Sequence, residues 1–452
     1  MPIIIYFLGG FNKMKKLIAL LLTLTFCLLL ASCGTKTEPE ATVPSEVNSA
    51  STDSEEPTEL VFWTMWDGGD VTVASLIFDE YNQTHPDVHI DFQQQDFNQF
   101  ATKLKTGMMS GQGPDFAISY IGGFVTGLQA DDMLVSISGE AARLGVNIDF
   151  GGYTPAAMEA AKVDSEYYAV PCDNLIRVLM YNKELLAGTS VLNDDGTLKL
   201  EPGYDNFMNM LGTAAKETCI ADPLALTMRP PQLVLGWLTM YEQLGGHDFI
   251  DLENRTCVFD DEIAVKALTE YQKIYADYVP ENLAPPADLD MFKAGKLPFY
   301  IDGSWNVAAA ADALGDAFGV TTFPQLGEKN ALVTTNHAFI IPKNSEMSDA
   351  KTKAILEFIK WWGENNYRWS EAGHLPAYIP STETEEFKNM PWPQYYKSTL
   401  DVAVPIYTIP NANLHQIAEV RDPIQQGMLG TITQEEAVKQ VKDNLNQLLP
   451  NL

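Results

Sequence analysis

Positive charge is scarce in this chain. It carries 29 Lys and Arg against 60 Asp and Glu, for a formal net charge of −31 over 452 residues. That balance argues against electrostatic binding to nucleic acid or to anionic lipid, and it weakens the case for a phosphate or sulfate ligand. Cysteine is also scarce, with five residues: Cys27, Cys33, Cys172, Cys219 and Cys257. No two have Cys-x-x-Cys spacing and no histidine cluster accompanies them, so the usual zinc signatures are missing. Hydrolase and nucleotide motifs are missing too: there is no Gly-x-Ser-x-Gly, no His-Glu-x-x-His and no Gly-x-x-x-x-Gly-Lys. Asn193-Asp194-Asp195-Gly196 reads as a turn, since it lacks the ligand spacing and final Glu of an EF-hand loop. A glycosidase needs only two carboxylates, so these absences alone leave an enzyme open. No internal repeat and no heptad run is present.

What the sequence does contain begins with an address. Met14-Lys15-Lys16 opens a positive segment, Leu17 to Leu30 is an almost unbroken apolar run, and Leu30-Ala31-Ser32-Cys33 follows. The run is short for a bilayer span and fits the apolar region of a signal peptide over residues 1–32, with Met14 as the better start. Leu-Ala-Ser-Cys resembles the bacterial lipobox, which implies lipidation of Cys33. With Cys33 lipidated, three cysteines remain. They are expected to be mostly buried free thiols, with a single disulfide between two of them left open. Residues 33–58, from the lipidated Cys33 onward, are rich in Thr, Glu, Pro, Ser and Ala with no aromatic and little apolar content, too polar to offset their ordering entropy, and read as a flexible tether. The expected location is the outer face of the cell membrane, with the lipid as the only membrane contact.

The remainder reads as an α/β protein. Leu60–Trp66 is a buried strand ending in Asp67-Gly68-Gly69-Asp70. Val73, Leu76, Ile77 and Tyr81 follow at helical spacing, and Pro86 ends that helix. Val88–Phe92 alternates as a second strand, Phe97–Met109 is amphipathic, and Asp115–Tyr120 is a third strand. This order predicts an open, mostly parallel sheet with ligands at the carboxyl ends of its strands.

Five segments carry a resemblance. They are Thr106–Asp115, with Gly-Gln-Gly-Pro-Asp; Tyr167–Asn174 followed by Leu179–Lys183; Phe292–Trp305, with Gly-Lys and Asp-Gly-Ser-Trp; His337–Lys343; and Gly430–Val438. In this order they resemble family 1 of the bacterial extracellular solute-binding proteins, the group that contains maltose-binding proteins, over about residues 59–449. The resemblance implies a two-lobe fold of the type II periplasmic-binding kind, hinged about a ligand cleft. It implies a first lobe from 59–171 plus 306–342, a second lobe from 172–305, and C-terminal helices in 343–452 packing across both.

A sugar requires polar groups for its hydroxyls and aromatic rings for its C–H faces. Turns at strand ends supply such pairs. Trp66 and Asp67 end the first strand, where core packing and helix capping are the competing readings. Tyr120 ends the third strand beside Gly122-Gly123. Asp173 and Asn174 follow the first crossing between lobes. Trp305 follows Asp302-Gly303-Ser304, and a large aromatic just past a glycine turn is poorly explained as core. The resemblance adds Trp237, for which core packing competes, and Asn411 and Asn413 near the closing edge. His374 in Gly-His-Leu-Pro is a hydroxyl donor on a loop.

The implied function is capture of a sugar or oligosaccharide by lobe closure and its delivery to a two-part ABC permease driven by a separate ATPase. The protein is expected to be a monomer without catalytic residues, metal or cofactor. A peptide or polyamine binder and a lipoprotein glycosidase are the alternatives.

Overall fold

In a computed structural model of the chain, residues 56–97, 99–344 and 347–452 are described. The signal segment, Cys33 and the tether up to residue 55 lie outside them. The chain enters the first sheet at Thr58–Thr64 (β1), whose Leu60, Phe62 and Trp63 are buried. The next helix, Gly68–Thr84 (α1), buries Ala74, Ile77, Phe78 and Tyr81, one stripe at helical spacing. Val88–Gln94 (β2), helix Phe100–Ser110 (α2), Phe116–Tyr120 (β3) and helix Gly123–Ala130 (α3) follow. β1 runs parallel to both β2 and β3. The Phe62 ring lies 4.7 Å from those of Phe78 and Phe116, at the centre of this lobe's core.

Val170–Pro171 (β4) closes the first pass, and the chain then crosses to a second sheet. That sheet begins with Arg177–Asn182 (β5) and continues with Leu224–Leu226 (β6), helix Pro230–Gln243 (α4), helix Asp261–Tyr278 (α5), Phe299–Gly303 (β7) and Phe318–Thr322 (β8). The order is β8-β5-β7-β6, with β7 parallel to β6 and β5 antiparallel to its neighbours. α5 starts on Asp260, whose carboxylate accepts the amides of Glu262 and Ile263, a cap worth about 1 kcal/mol.

At His337–Ile340 (β9) the chain re-enters the first sheet, whose order is β2-β1-β3-β9-β4. β9 is antiparallel to β3 and β4, so the sheet is mixed, with its parallel part confined to the first three strands. Helix Asp349–Glu364 (α6) buries Ile355, Phe358, Ile359 and Trp362 in this first core. Helices Ala418–Met428 (α7) and Gln434–Leu448 (α8) pack with α4 and α5 on the second.

Two assignments of segments to lobes are corrected. Residues 306–334 stay with the second lobe, because β8 pairs with β5 over Phe318–Thr322 and Leu332 and Val333 are buried in the second core. The C-terminal helices divide between the lobes, since the apolar stripe of each fits one core only.

Three segments join the lobes side by side. Leu175 donates its amide to the Thr335 carbonyl at 2.8 Å, and Asn174 donates to the Leu375 carbonyl at 2.8 Å. This places the carboxyl ends of β1, β3, β6 and β7 around one hinge, where an open α/β sheet presents its binding turns. Cys172, Cys219 and Cys257 are free thiols; Cys172 and Cys257 are buried and Cys219 is exposed. Among the described residues no helix is long and apolar enough to cross a membrane, and no group of three or more potential ligands could hold a metal ion.

Candidate functional site

The floor of the site is a buried polar network on the hinge. Asp173 is 0% exposed. Its Oδ1 accepts the His337 amide at 2.7 Å. Its Oδ2 lies 2.8 Å from His337 Nδ1 and accepts the Trp369 indole N–H at 3.0 Å. Burial alone would raise this carboxyl. The His337 and His374 imidazoles and the His337 hydrogen bonds outweigh it and hold Asp173 below the ordinary carboxylate range.

His374 connects this floor to both lobes. Its Nε2 lies 3.0 Å from Asp70 on the first turn of α1, and its Nδ1 lies 3.7 Å from Asp173. Its ring stacks on Trp369 at 4.9 Å and lies 6.5 Å from the Trp305 ring of the second lobe. Burial pulls the His374 pKa down, but the Asp70 carboxylate and its hydrogen bond, with Asp173, leave it raised.

On the first-lobe wall, Asp67 is exposed at the start of α1 and makes no side-chain capping bond. Tyr120, half-buried, lies 5.2 Å from the His337 ring. Burial, then the fields of Asp173, Asp67 and Asp70, push its phenol well above the usual range. On the second-lobe wall, Asp302 ends β7 and accepts the Tyr300 hydroxyl at 2.7 Å and the Asn306 amide at 2.9 Å. These bonds tie the two ends of the turn that carries Trp305. Gly303 completes it, because a Cβ there would collide with the Trp305 ring. Trp305 stays partly exposed, with Arg229 at the carboxyl end of neighbouring β6. Burial raises the Asp302 pKa to about 6, against the Tyr300 bond and the Arg229 charge.

Of the residues expected at the site, Asp67, Tyr120 and Trp305 keep exposed surface near the hinge, whereas His374 lies beneath it, 0% exposed, with Nε2 on Asp70. The rest need correction. Trp66 is 2% exposed, packed on Trp369 at 4.6 Å and stacked with Trp362 at 5.9 Å, because its strand end turns it inward behind the hinge. Asp173 and Asn174 are saturated from within. The Asn174 carbonyl accepts from Thr154 and Asn336 while its amide donates to the Pro376 carbonyl at 2.9 Å. Trp237 is in the second core and gives its indole N–H to the Ala264 carbonyl at 2.9 Å. Asn413 is 0% exposed, with both ends of its amide spent on the first lobe. Asn411, exposed at φ +68°, lies against Gly127 of α3.

Several participants carried no sequence signal of their own. Asp70 reads as a helix cap, His337 as part of a strand motif, and Asp302 as the start of a turn. Their roles come from partners more than 160 residues away or from burial, neither of which a local pattern reports.

Two α/β lobes joined by three adjacent crossings, with aromatic and acidic turns meeting at the hinge, define a two-lobe binding protein. The comparisons agree. Residues 69–367 match the family described as bacterial extracellular solute-binding protein. The chain belongs to that family.

Among curated relatives it is 24% identical over 275 residues to a maltotriose-binding protein of Pyrococcus abyssi, covering 59% of this chain and 54% of that protein. The match thus spans about half the length of that relative. It is 23% identical over 462 residues to a galactooligosaccharide-binding protein of Bacillus subtilis, covering 95% of each. Among solved structures, the GacH receptor of Streptomyces glaucescens has a TM-score of 0.72 at 19% identity, over 88% of this chain and 100% of that one. The sugar-binding protein MalE of Xanthomonas citri has a TM-score of 0.69 at 20% identity, over 87% of this chain and 98% of that one. These likenesses establish the fold.

Proposed function

We propose that the chain is the carbohydrate-capturing subunit of a bacterial ABC importer, tethered outside the membrane by a lipid on Cys33. The observation that carries this reading is Trp305. Its ring is partly exposed on a turn locked by Asp302, Gly303 and Asn306, at the hinge end of the second sheet. A rigid ring of this kind offers a stacking surface for a pyranose face at low entropic cost. Asp67 and Tyr120 on the facing wall provide an acceptor and a phenol for hydroxyls. The names of the curated relatives support the same ligand class.

In this reading sugar binds between the walls, and closure is favoured because only the closed form makes both sets of contacts. The closed form presents one surface per lobe to a two-part permease whose ATPase is a separate chain. The role is binding rather than catalysis.

Thermal unfolding of the full-length chain tests the reading, with maltotriose, lactose, galactobiose and arabinotriose against spermidine and short peptides. A sugar at 100 times its Kd adds about 2.7 kcal/mol of stability, a visible rise in midpoint. A rise with spermidine or peptides alone would overturn the sugar assignment.

A further inference from the structure

The segment Thr408–Gln416 spans the two lobes at the rim of the site. A two-residue turn joins strands Thr408–Ile409 and Ala412–Asn413. The segment is rooted in the second lobe. Leu414 is buried in that core and donates its amide to the Tyr407 carbonyl at 3.0 Å, the Tyr407 hydroxyl donates to Glu242 of α4, and residues 414–416 pack on α4. Its other side rests on the first lobe. Asn413 accepts the Gly123 amide at 3.0 Å and donates to the Ile121 carbonyl at 2.9 Å. The fit requires glycine, since a Cβ on Gly123 would collide with the carbonyls of Ala412 and Ile409. The two backbone groups that Asn413 holds lie within three residues of Tyr120.

Two residues beyond Asn413 is His415. It is 4% exposed, and its Nδ1 has no hydrogen-bond partner. Its ring meets that of Tyr120 edge-on at 6.2 Å, across the junction of the lobes. A buried imidazole nitrogen left unpaired is costly, of the order of a lost hydrogen bond. The Tyr120 ring lies beside the buried carboxylate network, 5.2 Å from the His337 ring. The His415 and Tyr120 rings therefore meet from opposite lobes beside an amide clasp, with the unpaired Nδ1 on the His415 side.

We propose that His415 is a ligand-contacting residue of the second lobe, and that with Tyr120 it forms an uncharged pair that holds one sugar hydroxyl between the lobes. The proposal rests on the sugar reading above. A hydroxyl suits the pair because it can donate one hydrogen bond and accept another, which a neutral imidazole and a phenol can reciprocate. Burial, then the Arg421 charge, lower the His415 pKa to about 3, so the ring stays neutral and cannot balance an anionic substituent. The facing fields of Asp67, Asp70 and Asp173 would also repel such an anion.

Isothermal titration of the full-length chain with maltotriose, lactose, galactobiose and arabinotriose tests this, using wild type, His415→Ala, His415→Gln, Tyr120→Phe and the double variant His415→Ala/Tyr120→Phe. With the best-bound sugar, His415→Ala should weaken affinity by about tenfold or more, the scale of one buried hydrogen bond. His415→Gln should restore part of it, because its amide can still donate and accept. The double variant should lose no more than the worse single variant, as two groups on one hydroxyl are not additive. A deoxy analogue of that sugar lacking the held hydroxyl should bind wild type and His415→Ala equally. Equal sugar affinity in wild type, His415→Ala and His415→Gln overturns the proposal and leaves the sugar reading standing. If wild type binds none of the four sugars, the sugar reading fails and this proposal falls with it.

Discussion

Asp173 takes two hydrogen bonds from His337, one from the backbone amide at 2.7 Å and one from the imidazole at 2.8 Å. The two residues lie on different crossings between the lobes, so this pair fastens the hinge from inside. Its removal leaves the His337 amide and the Trp369 indole N–H unpaired in a site with no access to water. Asp173→Ala should therefore destabilise the chain by about 3–5 kcal/mol, the range for breaking a buried pair. Urea denaturation at neutral pH measures it. A loss below about 1 kcal/mol would mean that the surrounding groups find other partners.

His374 gives the stability a pH slope of known sign. Its folded pKa is raised by Asp70 and Asp173 over the opposing effect of burial. The stability it contributes is fully present below the ordinary histidine value of about 6.5 and is lost as pH rises through the higher folded value. Urea midpoints should fall from pH 6 to pH 8 in wild type, and His374→Asn should flatten that change. A slope that survives the substitution would assign it to another group.

Asp302 has the opposite character. Burial raises its pKa to about 6, with Tyr300, Asn306, Arg229 and Asp288 as the groups around it. A carboxyl held above its unfolded value is destabilising once it ionises, so the protein loses stability between about pH 4 and pH 6 on its account. Relative to wild type, Asp302→Asn should gain about 3 kcal/mol between pH 4 and pH 7, since each pKa unit is worth about 1.4 kcal/mol. Chemical denaturation of both proteins at the two pH values gives the difference directly.

Gly123→Ala should prise the hairpin off the first lobe. The added methyl meets two carbonyl groups of residues 409 and 412, which are fixed within the hairpin. Small-angle scattering without ligand should show a larger radius of gyration than wild type. An unchanged radius would show that the clasp does not hold the rims together.

Trp305→Ala should remove the sugar-induced rise in the unfolding midpoint while leaving the unliganded midpoint near that of wild type, because the ring is partly exposed. A variant that still responds fully to sugar would place the stacking surface elsewhere.

The strands and helices were readable from the chain because their signals are local. Ala74, Ile77, Phe78 and Tyr81 mark one helical stripe, and the turn at Trp305 declares itself through Asp302-Gly303. The division into lobes was less readable. Phe318–Thr322 resembles any apolar strand, and only its pairing with β5 assigns it to the second sheet. The candidate site was legible where a residue sits on a turn with exposed surface, as with Asp67, Tyr120 and Trp305. It was illegible where burial decides the role. Trp237 and Asn413 look like ligand contacts in one dimension, yet partners 27 to 292 residues away consume them, and Trp66 is packed against Trp362 and Trp369. His415 had no local cue at all, since its significance lies in facing Tyr120 across the chain.

The indoles of Trp66, Trp362 and Trp369 lie within 6 Å of one another, and two of them address the His337 and Asp173 pair at the hinge. This trio gives the protein a built-in optical gauge. Shielded from water, it emits at short wavelength, and water reaching it shifts that emission to longer wavelength. Ultraviolet excitation of the unlabelled chain would follow the opening of the first lobe's core in real time, with no dye to disturb it.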